Sequence, residues 1–194
     1  MTHVRVVLFT RYPEPGRAKT RLIPALGEEG AAELHRHLTE RTLAVIRASG
    51  LAAEVRTTGA DRQAFTAWLG EECTIVDQGD GDLGHRMRRA AHPYPVLFLG
   101  SDAPDLTPEH LHAAAELLEW NEVVIGPAED GGYWTIGLSG PCNAVFDAMP
   151  WGTDRVLAET MSRLDRLGIV PALLPRLADC DRPADLARWP ELLR

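Results

Sequence analysis

A short segment near the N-terminus concentrates the positive charge of the chain. Within eleven residues of the stretch TRYPEPGRAKTRLIPALG stand four cations: Arg11, Arg17, Lys19 and Arg21. Like charges this close repel one another unless an anion joins them, and Gly16 offers flexible backbone N–H groups beside them. Lys19 is the one lysine of the chain, and a lysine ammonium is a compact point charge that seats among phosphate oxygens. The segment predicts a di- or triphosphate site, with a solvated basic loop as the alternative.

Carboxylates follow the most hydrophobic run of the chain. In VLFLGSDAPDL, Ser101 and Asp102 come directly after that run. A carboxylate against apolar walls is unfavourable unless a cation pairs with it, and residues 101–150 contain no Lys or Arg. The motif therefore predicts a divalent metal, Mg²⁺ or Mn²⁺, on Asp102, since Mg²⁺ prefers one or two carboxylates plus substrate phosphates. Pairing with a distant cation is the alternative.

Two further motifs carry acidic residues. In GPAEDGGYWTIGL, Asp130 precedes Gly131 and Gly132, a pair that marks a turn or a backbone brought close to a ligand. Asp130 is expected to hydrogen-bond a sugar hydroxyl or to support the metal, with a plain hairpin turn as the alternative. In DCDRPADL, Asp181 is a candidate second metal ligand, and it is equally placed to cap a helix starting near Pro183.

A glycine-rich segment, QGDGDLGHRM, follows a third apolar run. Its glycines allow close backbone approach to a flat ligand such as a base or ribose. The candidate nucleotide contacts here are Gln78, Gly79, Gly81, Asp82 and Gly84, and Ser101 joins them from the next motif. Asp80 or Asp82 is expected to cap the following helix. A plain glycine turn is the alternative.

These motifs need a scaffold that brings them together, and the hydrophobic pattern predicts one. Apolar, β-branched runs typical of strands buried on both faces cover Val4–Phe9, Ala53–Thr57, Thr74–Val76, Val96–Leu99, Val123–Ile125, Trp134–Leu138 and Ile169–Leu174. Helices are predicted over Ala31–Val45, Arg62–Leu69, Leu83–Ala91, Pro108–Leu118 and Thr153–Leu167. This alternation predicts an α/β sandwich with a mostly parallel sheet, whose ligands bind beyond the carboxyl ends of the strands.

Composition excludes several classes of function. The net charge of −8 disfavours a nucleic-acid partner. The length of 194 residues indicates one domain, residues 1–194. Its apolar runs are too short to span a membrane or to form a signal peptide, so a cytoplasmic protein is expected. Cys73, Cys142 and Cys180 are expected to be buried thiols. His35 and His37 cannot share a helical face, so no zinc site is predicted.

The ordered motifs resemble a known bacterial family. KTRLIPALG, QGDGDLGHRM, GSDAPDL, GPAEDGGYW, PWGTDRV and DCDRPADL are similar to a glycosyltransferase-like family, formerly a domain of unknown function, of which some members accompany radical-SAM enzymes. The family belongs to the nucleotide-diphospho-sugar transferase superfamily and is related to the phospholactate guanylyltransferases. The resemblance implies a three-layer α/β/α, GT-A type Rossmann-like fold and a divalent metal at Asp102. Candidate substrate contacts in its motifs are Asp130, Gly131, Gly132, Tyr133 and Trp151.

Two reactions of this superfamily fit the motifs. In glycosyl transfer, a metal on Asp102 would bridge the diphosphate of a nucleotide-sugar while Asp130 holds the sugar or a small-molecule acceptor. In nucleotidyl transfer, Lys19 and Arg21 would hold the β- and γ-phosphates of a nucleoside triphosphate, and an acceptor phosphate would attack the α-phosphorus. The first is the primary expectation, with Lys19, Arg21, Asp102 and Asp130 as catalytic candidates. A nucleotide-binding module without catalysis is the third alternative.

Overall fold

The computed structural model describes residues 4–193; the ends of the predicted 1–194 domain, residues 1–3 and 194, lie outside the described residues. Seven strands form one sheet in the order β3-β2-β1-β4-β6-β5-β7. The strands are β1 Arg5–Arg11, β2 Ala52–Thr58, β3 Ile75–Asp77, β4 Val96–Leu99, β5 Val123–Pro127, β6 Tyr133–Leu138 and β7 Ala172–Leu173. The helices are α1 Ile23–Ser49, α2 Arg62–Leu69, α3 Leu83–Ala90, α4 Pro108–Leu117 and α5 Val156–Arg166.

The sheet is mostly parallel, as predicted. β1 pairs in parallel with both β2 and β4, β2 with β3, and β5 with β7. β6 runs antiparallel to β4 and β5, so the hairpin considered for residues 122–138 is present. The predicted α/β, Rossmann-like fold class is confirmed.

Helices cover both faces of the sheet because alternate strand residues point to opposite sides. Val6 and Leu8 of β1 belong to a core shared with α1, α2 and α4, whereas Val7 belongs to a second core shared with α3 and α5. A third cluster packs the C-terminal segment, including Cys180 and Trp189, against the first half of α1. This third cluster carries the DCDRPADL motif to the edge of the sheet.

Several predicted boundaries and burial states were wrong. The last predicted strand, Ile169–Leu174, is reduced to the two residues of β7. The helix predicted over Ala31–Val45 is present and extends further toward the N-terminus, to Ile23, with a kink at Gly27. Cys180 is buried, but Cys73 and Cys142 are only half-buried. Within residues 4–193, no helix combines the length and apolar character that a membrane span requires.

Candidate functional site

The segments after β1 and β4 meet because these two strands are parallel neighbours. The ammonium Nζ of Lys19 lies 2.5 Å from Asp102 Oδ1, 3.6 Å from Asp181 Oδ1 and 2.6 Å from the carbonyl oxygen of Cys180. The Lys19 side chain is only 4% exposed. Three segments that are far apart in sequence therefore converge on one lysine.

The backbone of Lys19 is in an unusual conformation. Its φ of 47° and ψ of 44° place it in the left-handed region, which L-residues with a side chain rarely adopt. It precedes a short 3₁₀ helix, Thr20–Leu22, and Leu22 is fully buried in the third cluster. Strain of this kind persists only where the surroundings hold the residue in place, and such residues are concentrated at functional sites.

The Lys19–Asp102 pair sets the charge state of both groups. Burial opposes the Lys19 charge, but the Asp102 carboxylate and its hydrogen bond hold the pKa of Lys19 above its usual value. Surrounding protein atoms desolvate the Asp102 carboxylate and so oppose its charge, but the Lys19 ammonium holds the pKa of Asp102 below its usual value. The Asp102 side chain is nevertheless 52% exposed, because it faces open cavities. The cation beside Asp102 is Lys19. The structure therefore contains the alternative considered from the sequence, an ion pair with a cation that is distant in the chain.

Two cavities open on either side of this pair. The first, which we call the basic cavity, has a volume of about 360 Å³. Its charged lining residues include Arg11, Arg17, Lys19 and Arg21. The second, which we call the acidic cavity, has a volume of about 290 Å³. It is lined by four carboxylates: Asp102, Asp130, Asp179 and Asp181. Asp102, Asp181 and Arg21 line both cavities and form their shared boundary.

The side chain of Asp181 faces the site rather than the following helix. Its Oδ2 accepts a hydrogen bond from Arg21 Nη1 at 2.6 Å. Capping of the short helix Pro183–Arg188 falls instead to Asp185, whose Oδ2 accepts from the backbone N–H groups of Asp181 and Arg182 at 3.0 and 2.7 Å. The capping alternative for Asp181 was therefore wrong, and the residue lies beside the basic cluster.

The GPAEDGGYW motif forms the hairpin turn between β5 and β6. Asp130 Oδ1 accepts from the backbone N–H of Gly132 at 2.8 Å, and both residues line the acidic cavity. Gly131 has a φ of 88°, and a Cβ there would overlap the Asp154 carbonyl. The sequence predicted that the backbone at this glycine pair comes close to another group. In the structure that group is the backbone of the PWGTDRV segment. Tyr133 and Trp151 also line the acidic cavity.

The QGDGDLG segment lies at the same edge of the sheet, but most of it does not face either cavity. Gln78 is buried, and its Nε2 donates to the carbonyls of Thr10 and Arg56 at 2.9 and 3.0 Å, tying the ends of β1 and β2 together. Asp82 caps α3 by accepting from the backbone N–H of His85 at 2.9 Å, as predicted.

The glycines of this segment permit tight packing. At Gly79 a Cβ would overlap the Arg89 guanidinium, and at Gly84 it would overlap the Phe146 carbonyl. Gly81 has a φ of 95°, which favours glycine. A nucleotide role for these residues stays a prediction, as it does for buried Ser101 and for Gly16, which forms a turn with a φ of 78°.

Two residues of the site were missed by the sequence reasoning. His35 on α1 is buried and lines the basic cavity, where its Nε2 lies 3.1 Å from the Arg11 carbonyl oxygen. Burial lowers its pKa, so the ring is neutral at pH 7. Its position beside Leu34 and Leu38 on the buried face of the helix was the available signal. Asp179, two residues before Asp181 in the DCDRPADL motif, lines the acidic cavity although no role was predicted for it.

Within residues 4–193, no three His, Cys, Asp or Glu side chains are grouped closely enough to hold a metal by themselves. Asp102 and Asp181 are the two carboxylates that lie nearest the basic cavity, and both contact Lys19. Two oxygen ligands suit a Mg²⁺ or Mn²⁺ ion whose remaining ligands come from water and phosphate. The residues present thus fit a metal that binds together with a substrate.

Comparisons with known proteins agree with the motifs. The family model described as "Uncharacterized protein conserved in bacteria (DUF2064)" matches residues 42–153. A crystal structure from Desulfovibrio desulfuricans G20, provisionally named a nucleotide-diphospho-sugar transferase, is 31% identical, with a TM-score of 0.90 over 98% of this chain and 88% of that chain. The resemblance drawn from the six motifs is confirmed. No curated protein matches the chain in sequence.

More distant structures share the fold. The structure of 4-diphosphocytidyl-2C-methyl-D-erythritol synthase is 12% identical, with a TM-score of 0.63 over 100% of this chain and 99% of that chain. Glucosyl-3-phosphoglycerate synthase from Mycobacterium tuberculosis, in complex with Mn²⁺, uridine-diphosphate and phosphoglyceric acid, is 15% identical, with a TM-score of 0.57 over 96% of this chain and 74% of that chain. At these identities the likeness concerns the fold alone.

Proposed function

The chain belongs to the bacterial DUF2064 family, and from this premise we propose that it is a metal-dependent transferase that moves a glycosyl group from a nucleotide-activated sugar to a small-molecule acceptor. The observation that carries the proposal is the contact between Lys19 and Asp102 at the boundary of a basic and an acidic cavity. A nucleotide-sugar suits this pair of cavities, because its anionic diphosphate would lie in the basic cavity and its neutral sugar in the acidic cavity.

The basic cavity supports the diphosphate end of such a substrate. Arg11, Arg17 and Lys19 line it, and Arg21 lies at its boundary with the acidic cavity. Lys19 contacts two further boundary residues, Asp102 and Asp181. Positive groups held in place before the reaction stabilise a leaving nucleoside diphosphate without reorganisation during the bond-breaking step. A contact between the base or ribose and the glycines at positions 79, 81 and 84, at the same edge of the sheet, stays a prediction.

A divalent metal is part of the proposal. Asp102 and Asp181 would hold Mg²⁺ or Mn²⁺ together with phosphate oxygens, and the bound ion would neutralise negative charge on the diphosphate. The Mn²⁺ in glucosyl-3-phosphoglycerate synthase is a precedent in a protein with the same fold. Lys19 contacts both carboxylates, so it would fix their positions whether or not the ion is bound.

The acidic cavity supports the sugar and the acceptor. The acceptor hydroxyl forms the new bond to the anomeric carbon, and the bond from that carbon to the diphosphate oxygen breaks, so that the nucleoside diphosphate leaves with the electron pair. Asp130 would take the hydroxyl proton, since its carboxylate lies in this cavity and only one of its oxygens is tied to Gly132. Tyr133 and Trp151 supply apolar wall against which a sugar ring can pack.

Nucleotidyl transfer is the second candidate, favoured by the number of cations in the basic cavity. Four positive side chains suit a triphosphate as well as a diphosphate. In that reaction an acceptor phosphate would attack the α-phosphorus, and pyrophosphate would leave. A catalytically inactive nucleotide-binding module is the third, and the strained lysine held against Asp102 weighs against it.

The released product distinguishes the three functions. The protein is incubated with nucleotide-sugars and nucleoside triphosphates, each with Mg²⁺ or Mn²⁺ and a panel of small acceptors. Release of a nucleoside diphosphate supports glycosyl transfer, and release of pyrophosphate supports nucleotidyl transfer. Binding without either product supports the module. Lys19→Met and Asp102→Asn should abolish turnover, whereas Asp165→Asn, an exposed residue outside both cavities, should retain it.

A further inference from the structure

The acceptor side of the site has an unusual charge. Four carboxylates line the acidic cavity, and Arg21 is the one cation among its described lining residues. Arg21 is already paired with Asp181 at 2.6 Å. A metal bound by Asp102 and Asp181 would neutralise charge at the boundary with the basic cavity. It would leave unneutralised the wall formed by the other two carboxylates, Asp130 and Asp179, which have no ion pair within residues 4–193.

Asp130 and Asp179 reinforce each other's effect on a ligand. Both line the same cavity of about 290 Å³. A negative charge placed in that cavity would therefore be repelled by both carboxylates. A neutral ligand avoids this repulsion, and a positively charged ligand would be attracted.

The two arginines beside Glu129, which precedes Asp130 in the chain, are engaged elsewhere. Arg188 forms an ion pair with Glu129 at 2.5 Å, and Arg176 Nη1 donates to the carbonyl of Ala128 at 3.3 Å. Neither side chain lines the acidic cavity. The remaining lining is largely apolar: Trp134 Nε1 donates to the Pro175 carbonyl, and the unpaired Tyr133 Oη and Trp151 Nε1 are buried away from solvent.

We propose that the acceptor is a hydroxyl compound that carries no phosphate or carboxylate group and is either uncharged or bears an amine. The proposal rests on the proposed glycosyl transfer and adds the chemical class of the acceptor. The wall of Asp130 and Asp179 selects against anionic acceptors by repulsion, and its carboxylate oxygens accept hydrogen bonds from hydroxyl or ammonium groups. This chain therefore differs in acceptor class from its structural neighbour that was solved with phosphoglyceric acid.

Matched probes test the acceptor class by binding. D-glucose, D-glucosamine and D-glucose 6-phosphate are titrated into the ¹⁵N-labelled protein at pH 7, with and without UDP and Mg²⁺, and amide shifts are followed by NMR. Glucose and glucosamine should give saturable shifts around the acidic cavity. Glucose 6-phosphate should bind at least about tenfold more weakly, because its phosphate carries nearly two negative charges near two carboxylates.

Variants attribute the selectivity to this wall. In Asp130→Asn/Asp179→Asn the preference for glucose over glucose 6-phosphate should shrink by about tenfold, and glucosamine, whose ammonium the two carboxylates attract, should bind more weakly than it does to the wild type. Asp165→Asn removes one negative charge from a surface outside the cavity and should change nothing. Equal or tighter binding of glucose 6-phosphate, no saturable shift with any probe, or an unchanged preference in the double variant overturns the proposal. If UDP does not bind but glucose and glucosamine still bind more tightly than glucose 6-phosphate, the proposed function is contradicted and the proposed charge selectivity of the cavity is not.

Discussion

Lys19 and Asp102 should be energetically coupled, and a double-mutant cycle measures the coupling. The cycle compares Lys19→Met, Asp102→Asn and the double variant with the wild type. In Lys19→Met, Asp102 and Asp181 lose their shared cation, and the Cys180 carbonyl loses its donor. In Asp102→Asn, Lys19 keeps Asp181 and the carbonyl. Each single variant therefore removes the pair in a different way.

The magnitude follows from distance and exposure. At 2.5 Å, two unit charges attract by about 1.7 kcal/mol in water and about 6.6 kcal/mol at an effective dielectric of about 20. Lys19 is 4% exposed, which favours the upper value, whereas Asp102 is 52% exposed, which favours the lower one. Desolvation of the ammonium offsets part of the attraction. We expect a coupling free energy of about 2 kcal/mol, and a fall in Tm of about 4–8 °C for Lys19→Met.

Urea unfolding at several pH values provides the assay. The pKa of Asp102 is lower in the folded protein than its unfolded value of about 3.9, so its stabilising contribution is present above about pH 4 and is lost as the pH falls through the folded pKa. The pKa of Lys19 is raised, so its contribution is complete below about pH 10.4 and is lost as the pH rises through the folded pKa.

Two outcomes would contradict the coupling between Lys19 and Asp102. A coupling below about 0.5 kcal/mol at pH 7 would show that solvent screens the contact as it does an exposed ion pair. A free-energy difference between the wild type and Asp102→Asn that stays constant as the pH falls below about 4 would refute the assigned shift in the pKa of Asp102.

Three further outcomes are expected. Asp102→Ala should abolish the gain in UDP affinity that Mn²⁺ produces, and an undiminished gain in calorimetry would contradict the metal assignment. Lys19→Ala should weaken UDP at least about tenfold more than uridine, because only UDP carries phosphates for the basic cavity; equal losses would place the phosphates elsewhere. Gly84→Ala should lower the free energy of unfolding by about 2 kcal/mol, since its Cβ would overlap the Phe146 carbonyl, and an unchanged urea midpoint would contradict that packing.

The element order and the edge of the sheet that carries the site were predictable from local patterns. Apolar β-branched runs mark buried strands, and helical periodicity marks the segments between them, because both depend on residues a few positions apart. The residues that follow parallel strands must meet at one edge, which is why Lys19 and Asp102 could be assigned to one site. The shortness of β7 could not be foreseen, since an apolar run at the edge of a sheet need not pair along its whole length.

Local sequence patterns could not predict which charged groups pair with one another. Residues 101–150 contain no Lys or Arg, which suggested a metal on Asp102, yet the fold brings Lys19 to it across the β1–β4 pair. Likewise Asp179 joins Asp130 only because the C-terminal segment packs on α1 and continues beside β5. Local composition specifies which elements form, whereas the charge of a cavity depends on which distant side chains strand order and packing place around it.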